Sequence, residues 1–201
     1  MWKLKVVFKK YNQEADKIYH RYQNLKMKDT KTFPELQTDR LLLRQFKASD
    51  KNRIHFLRSD AGINKFIKRA IKQTLEEAVA HIKRTDEGFV KKQSVSWGIV
   101  LKGNTELIGS ICLWNFSEDL KTAEVGYDLD TQFQGKGIMS EAMKAVLQFG
   151  FEQLQFETIE AFTDYRNTSS RQLLEKNNFT LNPEKKDEGN KNNVVYYLRR
   201  S

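Results

Sequence analysis

Apolar positions change their period along this chain. From Trp2 to Phe8 they alternate with lysines, the two-residue period of a half-exposed strand. Ala15, Ile18, Tyr19, Tyr22 and Leu25 then recur at helical spacing on a charged stretch, which predicts an amphipathic helix covering some other surface. Lys26 to Pro34 is polar and ends in a proline, as a linker would. From Leu36 the character changes, and the run Leu41-Leu42-Leu43 predicts a strand over Arg40 to Phe46. Ser49 or Asp50 can cap a helix that holds Ile54, Phe56 and Leu57. Thr74 and Glu77 make a capping box ahead of Leu75, Ala78, Val79 and Ile82, with Gly88 as the stop.

Three strands are predicted next: Ser94 to Leu101, Glu106 to Trp114 and Thr122 to Leu129. Lys102-Gly103-Asn104 joins the first two as a hairpin. A helix from Gly137 to Leu154, a strand from Thr158 to Phe162, a helix from Thr168 to Lys176 and a closing strand from Val194 to Leu198 complete the reading. Strands before helices, then strand–helix–strand, imply a mixed α/β sheet rather than a doubly wound one.

With 201 residues the chain can fill one core and carry a short appendage, which we divide as an extension, 1–35, and a domain, 36–201. Hydrophobic content of 39% and aromatic content of 11% exclude long disorder. Cys112 is the only cysteine, so no internal disulfide can form, and its apolar strand marks it as a core residue. His20, His55 and His81 are scattered, so no cluster has metal-ligand spacing and no metal is expected. Apolar runs are too short to span a membrane, and the N-terminus lacks the apolar stretch of a secretory signal. A cytoplasmic location without membrane association is the resulting expectation. The formal net charge of +9 could serve nucleic acid, an acidic membrane or an anionic cofactor, and does not choose among them.

Chemistry concentrates in one stretch, Glu124 to Ala142, where a strand runs into Gln132-x-x-Gly135-x-Gly137 and a helix begins at once. Glycines there permit positive φ and close approach of a ligand to the backbone. Free N–H groups from Gly135 to Met139, aided by the helix dipole and Lys136, would form an anion nest suited to a pyrophosphate. No hydroxyl follows the lysine as a P-loop requires, and the third glycine of a dinucleotide fingerprint is missing. An ordinary strand–helix turn would carry the same spacing.

This run resembles motif A of the GNAT acetyltransferases, Gln/Arg-x-x-Gly-x-Gly/Ala. Leu36-Gln-Thr-Asp-Arg-Leu-Leu-Leu-Arg44 resembles the first strand of the RimJ/RimL branch, which acetylates ribosomal-protein N-termini, and Ala123-Glu-Val-Gly-Tyr127 its fourth. Asn167-x-x-Ser170-x-x-Leu-Leu-Glu175-Lys176-x-Asn178-Phe179 resembles its closing helix and strand. The resemblance covers roughly Leu36 to Leu198 and implies an α/β (α+β) fold. Its mixed, mostly antiparallel sheet would be splayed between the fourth and fifth strands and flanked by helices, with acetyl-CoA lying in the V.

By that resemblance the pyrophosphate falls on Gln134, Gly135, Lys136, Gly137, Ile138 and Met139, and Gln132 also binds the cofactor. Pantetheine falls along Tyr127, Asp128 and Leu129, and Asn167 bonds its arm; read alone, Asn167 is a helix cap. Glu124 resembles the glutamate that several members use to deprotonate the amine, and is otherwise a solvated strand residue. A backbone N–H near Tyr127 or Leu129 would meet the developing oxyanion. Many members place a tyrosine acid where this chain has Leu174; the RimJ/RimL branch uses a serine, matched by Ser170, which is otherwise a first-turn helix serine. Asn178 replaces the usual glycine before Phe179, a change confined to the turn.

Glu118, Asp119, Glu124, Asp128 and Asp130 form a local acidic cluster that would favour a cationic amine, or else lie on solvated faces. The expected activity is acetyl transfer from acetyl-CoA to a primary amine, of a protein N-terminus or a small cationic molecule, by direct attack. A non-catalytic acyl-CoA-binding module and a ribosome- or RNA-associated protein are the alternatives. The apolar face of the N-terminal helix would dock on its own domain in a monomer, or on a second copy in a homodimer.

Overall fold

The computed structural model describes residues 32–68 and 74–200. The strand and helix expected within the first 25 residues lie outside the described residues. Phe33 and Pro34, at the end of the expected linker, pack onto the domain. The Phe33 ring lies 5.1 Å from Phe89 and 6.1 Å from Trp97, and Trp97 Nε1 donates to the Pro34 carbonyl at 2.7 Å.

Eight strands form one sheet in the order β1-β2-β3-β4-β5-β6-β8-β7. They are β1 (Leu36–Gln37), β2 (Leu41–Arg44), β3 (Val95–Leu101), β4 (Leu107–Trp114), β5 (Thr122–Leu129), β6 (Thr158–Asp164), β7 (Thr180–Asn182) and β8 (Asn193–Arg199). The helices are α1 (Lys51–Ser59), α2 (Leu75–Val90), α3 (Ile138–Gln148) and α4 (Thr168–Lys176). All strand pairs are antiparallel except β5 with β6.

That parallel pair positions everything that follows. It holds for only three rungs, Thr122↔Thr158, Ala123↔Ile159 and Glu124↔Glu160. Beyond Glu124, β5 stays with β4 as far as Leu129, while β6 stays with β8 as far as Asp164. The sheet therefore splits into two arms, and from Val125 that edge of β5 has no strand partner among the described residues. The splayed sheet expected from the resemblance is present, its fourth and fifth expected strands being β5 and β6.

Two apolar clusters hold the arms. Ala142, Met143 and Val146 of α3 are fully buried against Trp97, Ile111, Leu113 and Ile159 of the sheet. Phe46, Ile54, Ala78, Ile82, Val100 and Leu107 form a smaller cluster under α1 and α2. Gly150 lets the end of α3 approach closely, since a Cβ there would lie 2.9 Å from Ile159 Cδ1 and 3.1 Å from Leu113 Cδ1.

Several local expectations need correction. The helix expected to reach Leu154 stops at Gln148 and continues as a π-helical turn, Phe149–Gln153. Gly88 does not end α2, which runs to Val90; Lys92 takes the left-handed position at φ 56°. Gly88 instead lies against Ser94, whose hydroxyl would have to move aside for a Cβ. Thr74 and Glu77 do form the capping box. Asp50 precedes α1, but its carboxylate pairs with the buried Arg44 at 2.7 and 2.9 Å and accepts from Lys47 N, so it does not cap that helix.

Candidate active site

The loop between β5 and α3 takes the conformation its glycines permit. Gly135 has φ 71° and Gly137 φ 73°, both in the left-handed region that other residues adopt at a cost. Gly137 is the N-cap residue of α3. A Cβ on Gly135 would meet nothing within 4 Å, so the loop is open on that side. Ile138 and Met139 bury their side chains in the core, which leaves their backbone N–H groups as the part available at the helix start. Gln134 Nε2 donates to the Leu129 carbonyl at 2.9 Å and ties the loop to the end of β5. Lys136 Nζ lies 5.7 Å from the Phe133 ring centre, and Gln132 is exposed beside it.

One residue at this loop was not legible in the sequence. Arg40, just before β2, donates from Nη1 to the Lys136 carbonyl at 3.1 Å and from Nε to Glu141 at 2.6 Å. Its Nη2 is the nearest group to Gly137, 3.6 Å from where a Cβ would be. Thr38 also donates to Glu141. Partial burial works to raise the Glu141 carboxyl, but the bonds from Thr38 and Arg40 hold it below its ordinary value. The segment 38–40 thus fastens the first turn of α3 and sets a guanidinium beside the nest.

At the last paired rung of the split, Glu124 and Glu160 face each other across β5 and β6. Glu124 is half-buried. Burial raises its pKa, the Asn115 amide that donates to it pulls the other way, and Glu160 pushes it up again; the result lies above the ordinary carboxylate value. Lys185 neutralises Glu160 at 2.6 Å. Asp128, two side chains further along the same face of β5, accepts from Ser110 Oγ at 2.7 Å. The acidic cluster is therefore smaller than expected. Asp130 is buried and held by Arg53 at 2.8 Å, and Asp119 accepts from Ser117 and Lys121 within a turn. Glu160 joins only through the register.

Tyr127, on the opposite face of β5, reaches across the split. Its phenol lies 2.8 Å from Ser170 Oγ in the first turn of α4, and Thr163 Oγ1 on β6 donates to the same Ser170 oxygen at 2.8 Å. Burial pushes the Tyr127 hydroxyl up to about 12. Asn167 caps α4, accepting from Ser170 N at 3.1 Å, which is the role its residue type alone suggested. Leu174 is fully buried in the core. Asn178 takes φ 65°, the turn conformation a glycine would favour. The Cys112 thiol is pushed up to about 12 by burial, which does not suit a nucleophile, but the residue is only partly buried and lies outside the core where it was expected.

Among the described residues, no group of three or more His, Cys, Asp or Glu could hold a metal ion. No helix among them is long and apolar enough to cross a membrane.

A sheet split between one parallel strand pair, with a loop of two left-handed glycines opening the following helix, is the architecture of an acetyl-CoA-dependent acyltransferase. Residues 40–180 match the acetyltransferase (GNAT) domain. The chain is 30% identical over 147 residues to the Uncharacterized N-acetyltransferase YoaA of Bacillus subtilis (strain 168), covering 73% of this chain and 83% of that protein. In fold it is similar to RimL, a ribosomal L7/L12 alpha-N-protein acetyltransferase in complex with coenzyme A (TM-score 0.72, 20% identity, 83% of this chain and 98% of that one). It is also similar in fold to the ribosomal-protein-S5-alanine acetyltransferase of Vibrio fischeri (TM-score 0.71, 22% identity, 83% and 96%). The chain belongs to the GNAT acetyltransferase family.

Proposed function

We propose that this chain moves the acetyl group of acetyl-CoA to a primary amine, on a protein N-terminus or a small cationic molecule, by direct attack of the amine on the thioester. The observation that carries this reading is the pair of left-handed glycines at the start of α3, set at the mouth of the split between β5 and β6. In this reading the N–H groups of Gly135 to Met139 bind the pyrophosphate, flanked by Gln132, Gln134 and Lys136. The unpaired edge of β5 at Tyr127, Asp128 and Leu129 holds the pantetheine arm, with Asn167 opposite. Acetyl-CoA supplies the activated acetyl group.

Glu124 serves as the base. A carboxylate whose pKa is raised by burial is better matched to an ammonium proton than an ordinary one. It stands at the closed end of the split, where the amine must lose its proton. Ser170 and the hydroxyls bonded to it face the same split and supply donors for the sulfur. The ribosomal-protein acetyltransferase activities of the two structural neighbours support a protein N-terminus as acceptor, and ribosome association with it. A cytoplasmic location, and division into an extension at 1–35 and a transferase domain at 36–201, belong to the same proposal.

The test is thermal unfolding with acetyl-CoA and no added metal. Saturation about a hundredfold above Kd stabilises by roughly 2.7 kcal/mol, so a rise in Tm of about 5–10 °C is expected. No shift at millimolar acetyl-CoA removes the proposal. An amine-library screen that reads free CoA thiol then identifies the acceptor.

Arg40→Ala provides a local check of the nest. Loss of a charge-assisted donor costs about 1.5–3 kcal/mol, so acetyl-CoA affinity should fall at least tenfold by calorimetry. Wild-type affinity in this variant would leave Arg40 as a fastener of α3 alone.

A further inference from the structure

Thr163, Ser170 and Tyr127 come from β6, α4 and β5, and their hydroxyls meet in the gap where the two strands part. Each hydroxyl carries one proton. The three make two hydrogen bonds among themselves, and among the described residues no other group bonds to any of these oxygens. Two bonds use two protons. One O–H is therefore left over in a half-buried place, without a protein acceptor. A buried donor left in that state costs free energy, so the arrangement suits an acceptor that arrives with a ligand.

Thr163 donates to Ser170, which fixes one end of the series. The leftover proton then sits on Ser170 or on Tyr127. Hydrogen bonds running in one direction polarise one another, and the unidirectional series here is Thr163 to Ser170 to Tyr127. It ends on the phenol, which is also the more acidic hydroxyl of the three.

From this geometry we infer that Tyr127 is the terminal donor to the departing sulfur of CoA, with Ser170 and Thr163 as positioning residues behind it. The inference rests on the transferase reading above and refines it. When the carbon–sulfur bond breaks, its electron pair goes to sulfur, and the Tyr127 O–H lies in the split to receive that charge. Burial holds the phenol at about 12, above a thiol near 8.5, so Tyr127 keeps its proton and the thiolate takes one from water.

The experiment compares calorimetric affinities for CoA and acetyl-CoA at about pH 7 and about pH 9, where a free thiol changes from mostly neutral to mostly ionised. In the wild type, affinity for CoA relative to acetyl-CoA should rise with pH, because a thiolate accepts a hydrogen bond that a thioester sulfur hardly accepts. Tyr127→Phe keeps the ring. It should leave acetyl-CoA affinity within about threefold and lower the pH-dependent gain for CoA by roughly tenfold, with kcat falling and the KM for acetyl-CoA unchanged. Ser170→Ala should lower that gain less than Tyr127→Phe does. Should Tyr127→Phe fail to fold, Thr163→Val, which removes the first donor of the series, should still reduce the gain.

Equal weakening of CoA and acetyl-CoA in Tyr127→Phe, or an unaltered ratio, would overturn the inference. So would a larger loss in Ser170→Ala, which would put the terminal donor on the serine. Failure of the wild type to bind either ligand would instead count against the transferase reading itself.

Discussion

Gly135→Asp is expected to abolish the thermal shift by acetyl-CoA while leaving a folded protein. At φ 71° the position tolerates aspartate or asparagine better than other non-glycine residues, because their short polar side chains bond locally in the left-handed region. The space beside Gly135 is open, so the new side chain meets no protein atom within 4 Å at its Cβ. The effect therefore comes from charge. A carboxylate about 4 Å from a phosphate opposes it by roughly 4 kcal/mol at an effective dielectric near 20, which is close to a thousandfold in affinity. Gly135→Asn separates shape from charge. It should pass through the same backbone conformation and retain most of the binding. Acetyl-CoA affinity within about threefold of wild type in Gly135→Asp would mean that the pyrophosphate lies elsewhere.

What the sequence made legible follows from how local each signal is. Thr122 to Leu129 and Thr168 to Lys176 are strand and helix over the same residues that were expected, because strict alternation and an asparagine cap act within a few residues. The capping box at Thr74 and Glu77 formed for the same reason. The nest glycines were recognisable because positive φ is a demand on a single residue. By contrast, β1 and β7 have two and three residues, and they exist only through pairing with β2 and β8, which no local pattern announces. The π-helical turn after Gln148 answers to the close approach of Gly150 to β4 and β6.

The same distinction divides the site. Glu124, Ser170 and Asn167 could be singled out from motifs, yet their surroundings could not. Glu160 stands opposite Glu124 only because β5 and β6 pair in parallel at that rung. Arg40 reaches the Lys136 carbonyl across 96 positions of sequence, and Tyr127 meets Ser170 across 43. Reading acidic residues by proximity in sequence also misled, since Asp130 is held by Arg53 from α1. Chemistry set by contact between distant segments has no one-dimensional signature.

Glu124→Gln should lower kcat/KM by about 100-fold or more at neutral pH, the range typical for loss of a general base. The sign of the pH dependence follows from the raised pKa. As pH rises through that value, wild-type Glu124 loses its proton and becomes able to accept one from the amine, so activity climbs above the ordinary carboxylate range. Glutamine cannot do this, and the variant depends on amine that deprotonates unaided. For a peptide N-terminus, whose pKa is about 7.7–8.0, the gap between wild type and variant should narrow between about pH 7 and pH 9. A second measurement distinguishes a base from a structural carboxylate. A carboxyl whose folded pKa lies above its unfolded one binds more protons when folded, so its contribution to stability is full below the unfolded pKa and is lost as pH rises from there through the folded pKa, and the ionised group is a net cost at neutral pH. Removing that charge should leave Tm at pH 7 unchanged or higher, and Asn115 can still bond to the new amide oxygen. Lower activity at constant or increased stability, recovering with pH, is the signature expected of Glu124 as base. A uniform loss at every pH, or a loss of Tm in proportion to activity, would assign it to holding the split between β5 and β6 in place.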